Sequence, residues 1–501
     1  LLRTNEERYR ASWGALGPQR ADPYAGPVAG SAQPADDPGR WSEPLRAAEA
    51  GADAAAVAAT APDVVLFAGT DREAALSSLA SLRACTPGSR IVVVDDAAHL
   101  ATPEWAQAVA GLEVLDGMGA GRAAGFNAGL EATATDEVCL VSSEVVVSRG
   151  WLDGLAAALA SDDAVAAVGP VAPGLYGQSI DAAYLDLEEY GRLAAAYNHS
   201  DPSKWSRVLR LSDGCLLVRR SAVEKVGGLD ENYTTGTLAG DDLCLRLLTG
   251  GFTLSRCADV LVHHRGTAVV QPGEARFAEI ERLGFEARWG FSPTYSMIPR
   301  YEVVALLDRP GPLSVLELGC ACGATLLEIA NRFPGSEVHG LEFNERAAEV
   351  AACVAHARYG DAEAPLDYPA ASFDYVICAD VLEHLHEPWQ VLAGLRPLLK
   401  PGGKVIASIP NLMHIGVLAR LLRGRFTYED AGILDRTHLR FFTLAEIDDM
   451  FAGAGYPSRS YTATRIPLGA AEAQLAESLA ATFAVDQAQY LAYQYLVVAG
   501  V

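Results

Sequence analysis

From Asp63 onward the chain alternates short apolar runs with longer stretches whose apolar residues recur every three or four positions. The runs VVLFAGT, from Val64, and RIVVVDD, from Arg90, are apolar without alternation, which predicts strands buried on both faces. Asp71 to Ala84 carries a helical pattern between them, so the two strands are expected side by side in a parallel sheet. The alternation returns downstream. Val315 to Leu318 runs into Gly319, a helical stretch follows, and Val338 to Leu341 ends at Glu342. That is half of a doubly wound α/β domain, whose ligand crevice lies at the strand ends. Helices are predicted over Tyr301 to Leu307 and Glu345 to Arg358, and further strands at Tyr375 to Cys378 and after the Pro-Gly-Gly turn within Leu398 to Asn411. Strands at Arg459 to Ile466 and Tyr493 to Ala499 enclose an Ala-rich helix, Gly469 to Phe483. Residues 1–61 lack either period and read as an arm, helical only in its tail from Pro44 to Thr60. Residues 292–300, rich in Pro and Ser, read as a linker. The pattern therefore predicts two α/β domains, 62–291 and 301–501.

Composition adds bounds rather than chemistry. At 501 residues the chain exceeds one ordinary core. A formal charge of -24 argues against a nucleic-acid partner, which needs a basic stripe. The nine cysteines, without metal-type C-x-x-C pairs, read as reduced thiols. No apolar stretch reaches the roughly 18 residues of a membrane span, and no basic-then-apolar signal opens the chain. A cytoplasmic protein is expected.

The glycine spacing narrows the cofactor. A dinucleotide fingerprint needs G-x-G-x-x-G for close approach to a pyrophosphate, whereas this turn is Glu317-x-Gly319-x-x-x-Gly323. Glu342 ends the second strand, where a carboxylate can accept both ribose hydroxyls. On these residues alone a nicotinamide site stays open. With the later residues, 301–501 resembles the class I S-adenosylmethionine-dependent methyltransferases, with a Rossmann-like fold. The resemblance implies that Glu317, Gly319, Cys320, Gly323, Glu342, Phe343 and Ala379 hold the cofactor. Asp361 would accept the adenine amine and Ala362 would offer its backbone N–H. The run Asp380 to His386, DVLEHLH, is typical of members acting on small hydroxylated molecules. Transfer of a methyl group to oxygen needs position and a base for the hydroxyl proton. His384 is expected as that base, ahead of Glu383 and His386, because imidazole titrates near neutral pH. Asn411, His438 and Arg440 are expected at the acceptor, under a lid bearing Phe426, Tyr428, Phe441 and Phe442.

Six segments of the first domain, among them GRAAGFNAGLEA, SSEVVV, GDDLCLRLL and the closing Arg288-Trp289-Gly290, together resemble family 2 glycosyltransferases of the GT-A fold. The resemblance implies that Ala68, Thr70, Asp95, Asp96, Arg122 and Asn127 bind a nucleotide-diphosphate sugar. The family's metal-binding acids are reduced to Ser142-Ser143-Glu144, so Glu144 with His263 is the expected site for Mg2+ or Mn2+. Its Glu-Asp pair is also altered, which leaves Asp241 as the expected base and Asp242 as the structural acid that caps the helix. The expectation is a bifunctional glycosyltransferase and O-methyltransferase acting on a glycoconjugate or a small hydroxylated product. The alternative is a methyltransferase whose first domain only binds the acceptor.

Overall fold

The first two apolar runs form β1 (Asp63–Ala68) and β2 (Ile91–Asp95), with every residue of both buried. Between them α1 (Arg72–Cys85) starts at Asp71, whose carboxylate accepts the Ala74 N–H at 3.0 Å. An N-cap acid satisfies a donor that the helix itself leaves unpaired, and Glu73 in the first turn complements the helix dipole. The computed structural model describes residues 61–234, 238–265 and 272–501. It divides into two compact units between Ser292 and Pro293. The arm expected over 1–61 lies outside the described residues except for its last position.

The first unit continues through β3 (Glu113–Asp116), α2 (Arg122–Ala132), β4 (Glu137–Ser142), β5 (Val145–Val146), β6 (Val165–Val171), β7 (Trp205–Arg207), β8 (Cys215–Arg219), α3 (Leu238–Thr249), β9 (Thr253–Leu261) and β10 (His263–His264). Its main sheet has the order β3-β2-β1-β4-β8-β6-β9-β7. The β3, β2, β1 and β4 strands run parallel, and β8 is antiparallel to both β4 and β6. A small ladder pairs β10 with β5, placing His264 opposite Val145. Packing of Leu66, Val93, Trp105, Val141, Trp151 and Val260 forms one face of the core.

The second unit holds β11 (Ser314–Leu318), α4 (Ala324–Arg332), β12 (Glu337–Glu342), α5 (Glu345–Ala352), β13 (His356–Tyr359), β14 (Phe373–Ala379), β15 (Leu399–Pro410), α6 (Leu444–Gly453), β16 (Ser458–Thr464), α7 (Ala470–Phe483) and β17 (Gln494–Gly500). The strand order is β13-β12-β11-β14-β15-β17-β16. The first five strands are parallel, and β17 pairs antiparallel with β15 and β16. Alternate residues feed opposite faces. Val315, Tyr375 and Ile377 join one apolar cluster, while Leu316, Val376 and Cys378 join the other.

Two stretches differ from expectation. The helix from Glu345 ends at Ala352 rather than Arg358, and His356–Tyr359 adds an edge strand with His339 opposite His356. An edge strand only partly covered has no buried run to announce it. Residues 292–300 are no free linker. Pro293–Ser296 is a helical turn, the Ser296 carbonyl accepts the Cys322 N–H at 3.2 Å, and the Arg300 N–H donates to Thr325 Oγ1 at 3.1 Å. Its partners lie some two dozen residues downstream, so composition alone conceals its place in the second unit. Among the described residues no helix is long and apolar enough to cross a membrane.

Candidate functional site

The second unit builds its site where β11, β12 and β14 end. Gly319 and Gly323 have φ of +66° and +80°, left-handed conformations that a side chain resists. A Cβ on Gly319 would stand 2.6 Å from Val381 Cγ2, so the turn lies flush against the segment after β14. Glu342 clamps this turn. One of its oxygens accepts the Ala321 N–H at 2.8 Å and the other the Asn344 N–H at 2.7 Å. Asn344 in turn caps α5 through Ala347 N–H. Glu317 sits beneath the turn, 2% exposed, with Oε2 lacking a hydrogen-bond partner. Burial pushes its carboxyl up to about 8, against the pull of Arg300 and with the help of Glu342. Glu317, Gly319, Cys320 and Ala379 line one small cavity together with Ser296 and Arg300, two residues that the linker reading overlooked. Phe343 is largely exposed and stacks near Tyr359, their centroids 6.2 Å apart. The Gly360 N–H donates to the Glu342 carbonyl, which brings the Asp361–Ala362 turn beside the end of β12.

Beyond Ala379 the backbone turns sharply at Asp380, whose φ is +53°. Its carboxylate is held by Arg300, Ser408 and Gln494. Three residues further, Glu383 is 1% exposed and neither of its carboxylate oxygens has a hydrogen-bond partner. Burial, then the neighbouring Asp380, push that carboxyl well above the usual range. The His384 ring meets the His438 ring edge-on at 4.7 Å. His384 Nδ1 lies 3.3 Å from the Thr437 carbonyl and His438 Nδ1 lies 3.0 Å from the Ile433 carbonyl. Where Nδ1–H donates to a carbonyl, the Nε2 lone pair becomes the ring's working atom. Ligand atoms of Glu383, His384 and His438 all fall within 4.8 Å of one another; no other such group of three occurs among the described residues. The structure thus joins His384 and His438, expected in separate roles, around a carboxylate that had ranked behind them.

Other expected acceptor residues serve the scaffold. Asn411 donates to the Gln489 and Ala492 carbonyls, each at 2.7 Å, and accepts the Met413 N–H. Arg440 braces the loop through the His386 carbonyl at 2.6 Å. Phe442 is buried in the core. Phe426, Tyr428 and Phe441 pack edge-on or tilted at 5.5 to 6.4 Å, and Phe441 lies 6.2 Å from His438. Phe426 and Tyr428 remain open to solvent, an aromatic wall beside the histidines.

In the first unit most expected residues are engaged internally. Asp95, at the end of β2, accepts the His99 and Leu100 N–H groups and the Trp105 indole N–H. Asp96 Oδ1 is buried without a partner, and its backbone N–H returns to the Ala68 carbonyl. Thr70 is exposed just beyond them. Asn127 pins the following loop through Leu229 and Glu231. Asp241 forms a buried two-point ion pair with Arg210, which also stacks 4.0 Å over the Tyr176 ring. Burial pushes the Asp241 carboxyl up to about 6, although Arg210 pulls it down. Asp242 is fully buried and bonded to Arg246 and the Trp289 indole; it lies inside α3, which starts at Leu238, and so does not cap the helix as expected.

Glu144 and His263, the expected metal pair, belong to no ligand group of three among the described residues. His263 Nδ1 is 2.7 Å from the Tyr184 hydroxyl, its ring wedged between Tyr184 and Tyr190, and burial pushes it down to about 3. Burial works to raise the Glu144 carboxyl, yet the Arg122 guanidinium, with the Ser142 hydroxyl, its own backbone N–H and His264, holds the group below the usual value. The same guanidinium reaches Asp213, Nε to Oδ2 at 3.3 Å. Sequence reading gave Asp213 no role, although it opens DGCLLVRRSAVEKVGGLDENY, one of the six family-resembling segments, because its partner Arg122 stands 91 residues away.

Two family models match the chain. The glycosyl transferase family 2 model covers residues 72–227, and a methyltransferase domain model covers residues 316–405. A ubiquinone biosynthesis O-methyltransferase of Paracidovorax citrulli is 31% identical over 184 residues, 32% of this chain and 76% of that protein. Its counterpart in Thiobacillus denitrificans is 27% identical over 198 residues, 38% of this chain and 84% of the relative. The pre-mycofactocin glycosyltransferase of Mycobacterium tuberculosis is 33% identical over 192 residues, which are 38% of this chain but span only 40% of that protein.

Proposed function

Since the chain belongs to the class I S-adenosylmethionine-dependent methyltransferases and carries a family 2 glycosyltransferase domain ahead of that unit, we propose that it glycosylates and O-methylates a hydroxylated small molecule or glycoconjugate. The observation that carries the methyl-transfer half is the Glu383, His384 and His438 group, just beyond the cofactor-facing end of β14. A buried carboxylate with no hydrogen-bond partner is costly, and two imidazoles beside it supply what a hydroxyl needs: an acceptor for its proton and a fixed place for its oxygen. S-adenosylmethionine, when bound, would supply an activated methyl group whose sulfur–carbon bond breaks as the acceptor oxygen takes the methyl, leaving a neutral thioether. His384 would hold the hydroxyl and take its proton, while Glu383 fixes the place of the oxygen. The donor set of one carboxylate and two Nε2 atoms also fits a divalent cation, which when bound would make the hydroxyl more acidic. The names of two relatives, both O-methyltransferases, agree with oxygen as the target.

For the cofactor, Glu342 faces the ribose, Glu317 the positively charged methionine end, and Asp361 with Ala362 the adenine. For the sugar donor, Asp96, Thr70 and Arg122 lie at the strand ends where nucleotides bind in open α/β sheets. The Asp241–Arg210 pair supports the second reading, a domain that binds without transfer, because a base in a buried two-point ion pair is not free to take a proton. Mass spectrometry of the full chain with a pool of nucleotide sugars, hydroxylated acceptors and S-adenosylmethionine distinguishes them. The expected products carry both a hexose-type and a methyl mass increment; methylated products alone favour the binding-only domain.

A further inference from the structure

The cation that sugar-transfer domains commonly use does not fit the residues offered here. Glu144 is the lone acid of its triplet, and His263 Nδ1 lies 2.7 Å from the Tyr184 hydroxyl. Neither residue belongs to a ligand group of three among the described residues. A fixed positive charge is present instead. Arg122, in the first turn of α2, lies against Asp213 and lowers the Glu144 carboxyl through its charge. Positive charges close together in a buried site repel strongly, so a divalent ion at Glu144 would have to displace the guanidinium.

The acids around Arg122 show what they are left to bind. Asp213 is 1% exposed; its Oδ2 meets Arg122, while its Oδ1 has no hydrogen-bond partner. Glu144 Oε2 is likewise buried without a partner. Asp213 is pressed against α3, since a Cβ on Gly240 would come 3.0 Å from its Cβ, and Gly214 beside it hydrogen-bonds Ser142 at the end of β4. Strand end, acid, guanidinium and acid therefore occupy one place. Orphaned acceptor oxygens call for O–H donors, and a sugar presents several.

We propose that the first unit binds its nucleotide-diphosphate sugar without a metal ion, with Arg122 meeting the diphosphate and Asp213 and Glu144 accepting sugar hydroxyls. This rests on the reading of the unit as a nucleotide-sugar site and replaces the cation expected there. Arg122 is then a binding residue, and Asp213 a determinant of which sugar is held.

Isothermal titration of the full chain with UDP and with GDP, in excess EDTA and again in excess MnCl2, tests this. The wild type is expected to bind one of them with affinities that agree within about twofold in the two buffers, because the guanidinium needs no metal. Arg122→Gln should weaken that diphosphate about tenfold or more in EDTA, with Mn2+ restoring part of the loss as Glu144 and Asp213 become free to bind it. Arg122→Lys should keep the metal independence. Asp213→Asn should weaken the corresponding sugar nucleotide relative to the diphosphate itself, because it removes a contact to the sugar rather than to the phosphates. Circular dichroism melts establish that each variant is folded, and the lysine variant keeps the test informative if the glutamine one is not. Wild-type binding that vanishes in EDTA and returns with Mn2+ overturns this proposal alone. Absence of diphosphate binding in both buffers overturns it together with the nucleotide-sugar reading.

Discussion

Glu317 has the clearest consequence of any single residue. Its carboxyl is raised from 4.5 to about 8 by burial, so the folded chain holds that proton more tightly than the unfolded one. Its contribution to stability is therefore complete below the unfolded value and is lost as pH rises through the folded one. A cationic cofactor reverses the preference, because sulfonium and ammonium charges favour the ionised carboxylate. S-adenosylmethionine binding near neutral pH should accordingly release a proton and should tighten as pH rises toward 8. Titration calorimetry in buffers of different ionisation enthalpy reads the proton directly. Glu317→Gln is expected to abolish the release, and binding by the wild type without any release would refute this role for Glu317.

At the scale of elements, the turn between β11 and α4 is the most constrained piece of the second unit. Gly319→Ala places a methyl group 2.6 Å from Val381 Cγ2 at a positive φ, which should cost about 2 kcal/mol or more and sharply weaken cofactor affinity. Asn344→Ala removes only the cap of α5 and should cost about 1 kcal/mol. Urea unfolding of the two variants gives the comparison; equal losses would mean that the turn is less constrained than its geometry indicates.

These elements also explain what was readable in advance. β1, β2, β11, β14 and the glycine turn rest on local apolar runs and spacing, so sequence carries them. β13 is half exposed and pairs only at one edge, and residues 292–300 act through contacts with Cys322 and Thr325. Such signals are absent from any local window. The site shows the same division. Glu317, Gly319, Gly323 and Glu342 were legible as a set, and the geometry brings them together. The union of Glu383 with His438 and the Arg122–Asp213 pair are tertiary facts. Asn411 and Asn127 looked functional because of where they stand, yet their amides are spent on loop carbonyls.

For the whole molecule, two units with separate cores place a methyltransferase domain and a glycosyltransferase-like domain on one chain. Tethering raises the effective concentration of an intermediate that both units use. All nine cysteines are free thiols, as their spacing predicted. The second unit carries the stronger chemical assignment, because its cofactor turn is complete and its Glu383 group has an open purpose. The first unit keeps its fold while its acids are largely paired.

The atom that receives the methyl group tests the account most directly. The full chain is incubated with hydroxylated acceptors and S-adenosylmethionine labelled with carbon-13 in its methyl group, and the product is examined by carbon-13 NMR. An O-methyl resonance is expected, and its rate of appearance falls about a hundredfold or more in His384→Ala. A label on nitrogen or carbon, or an O-methyl product formed at an unchanged rate by His384→Ala, would contradict it.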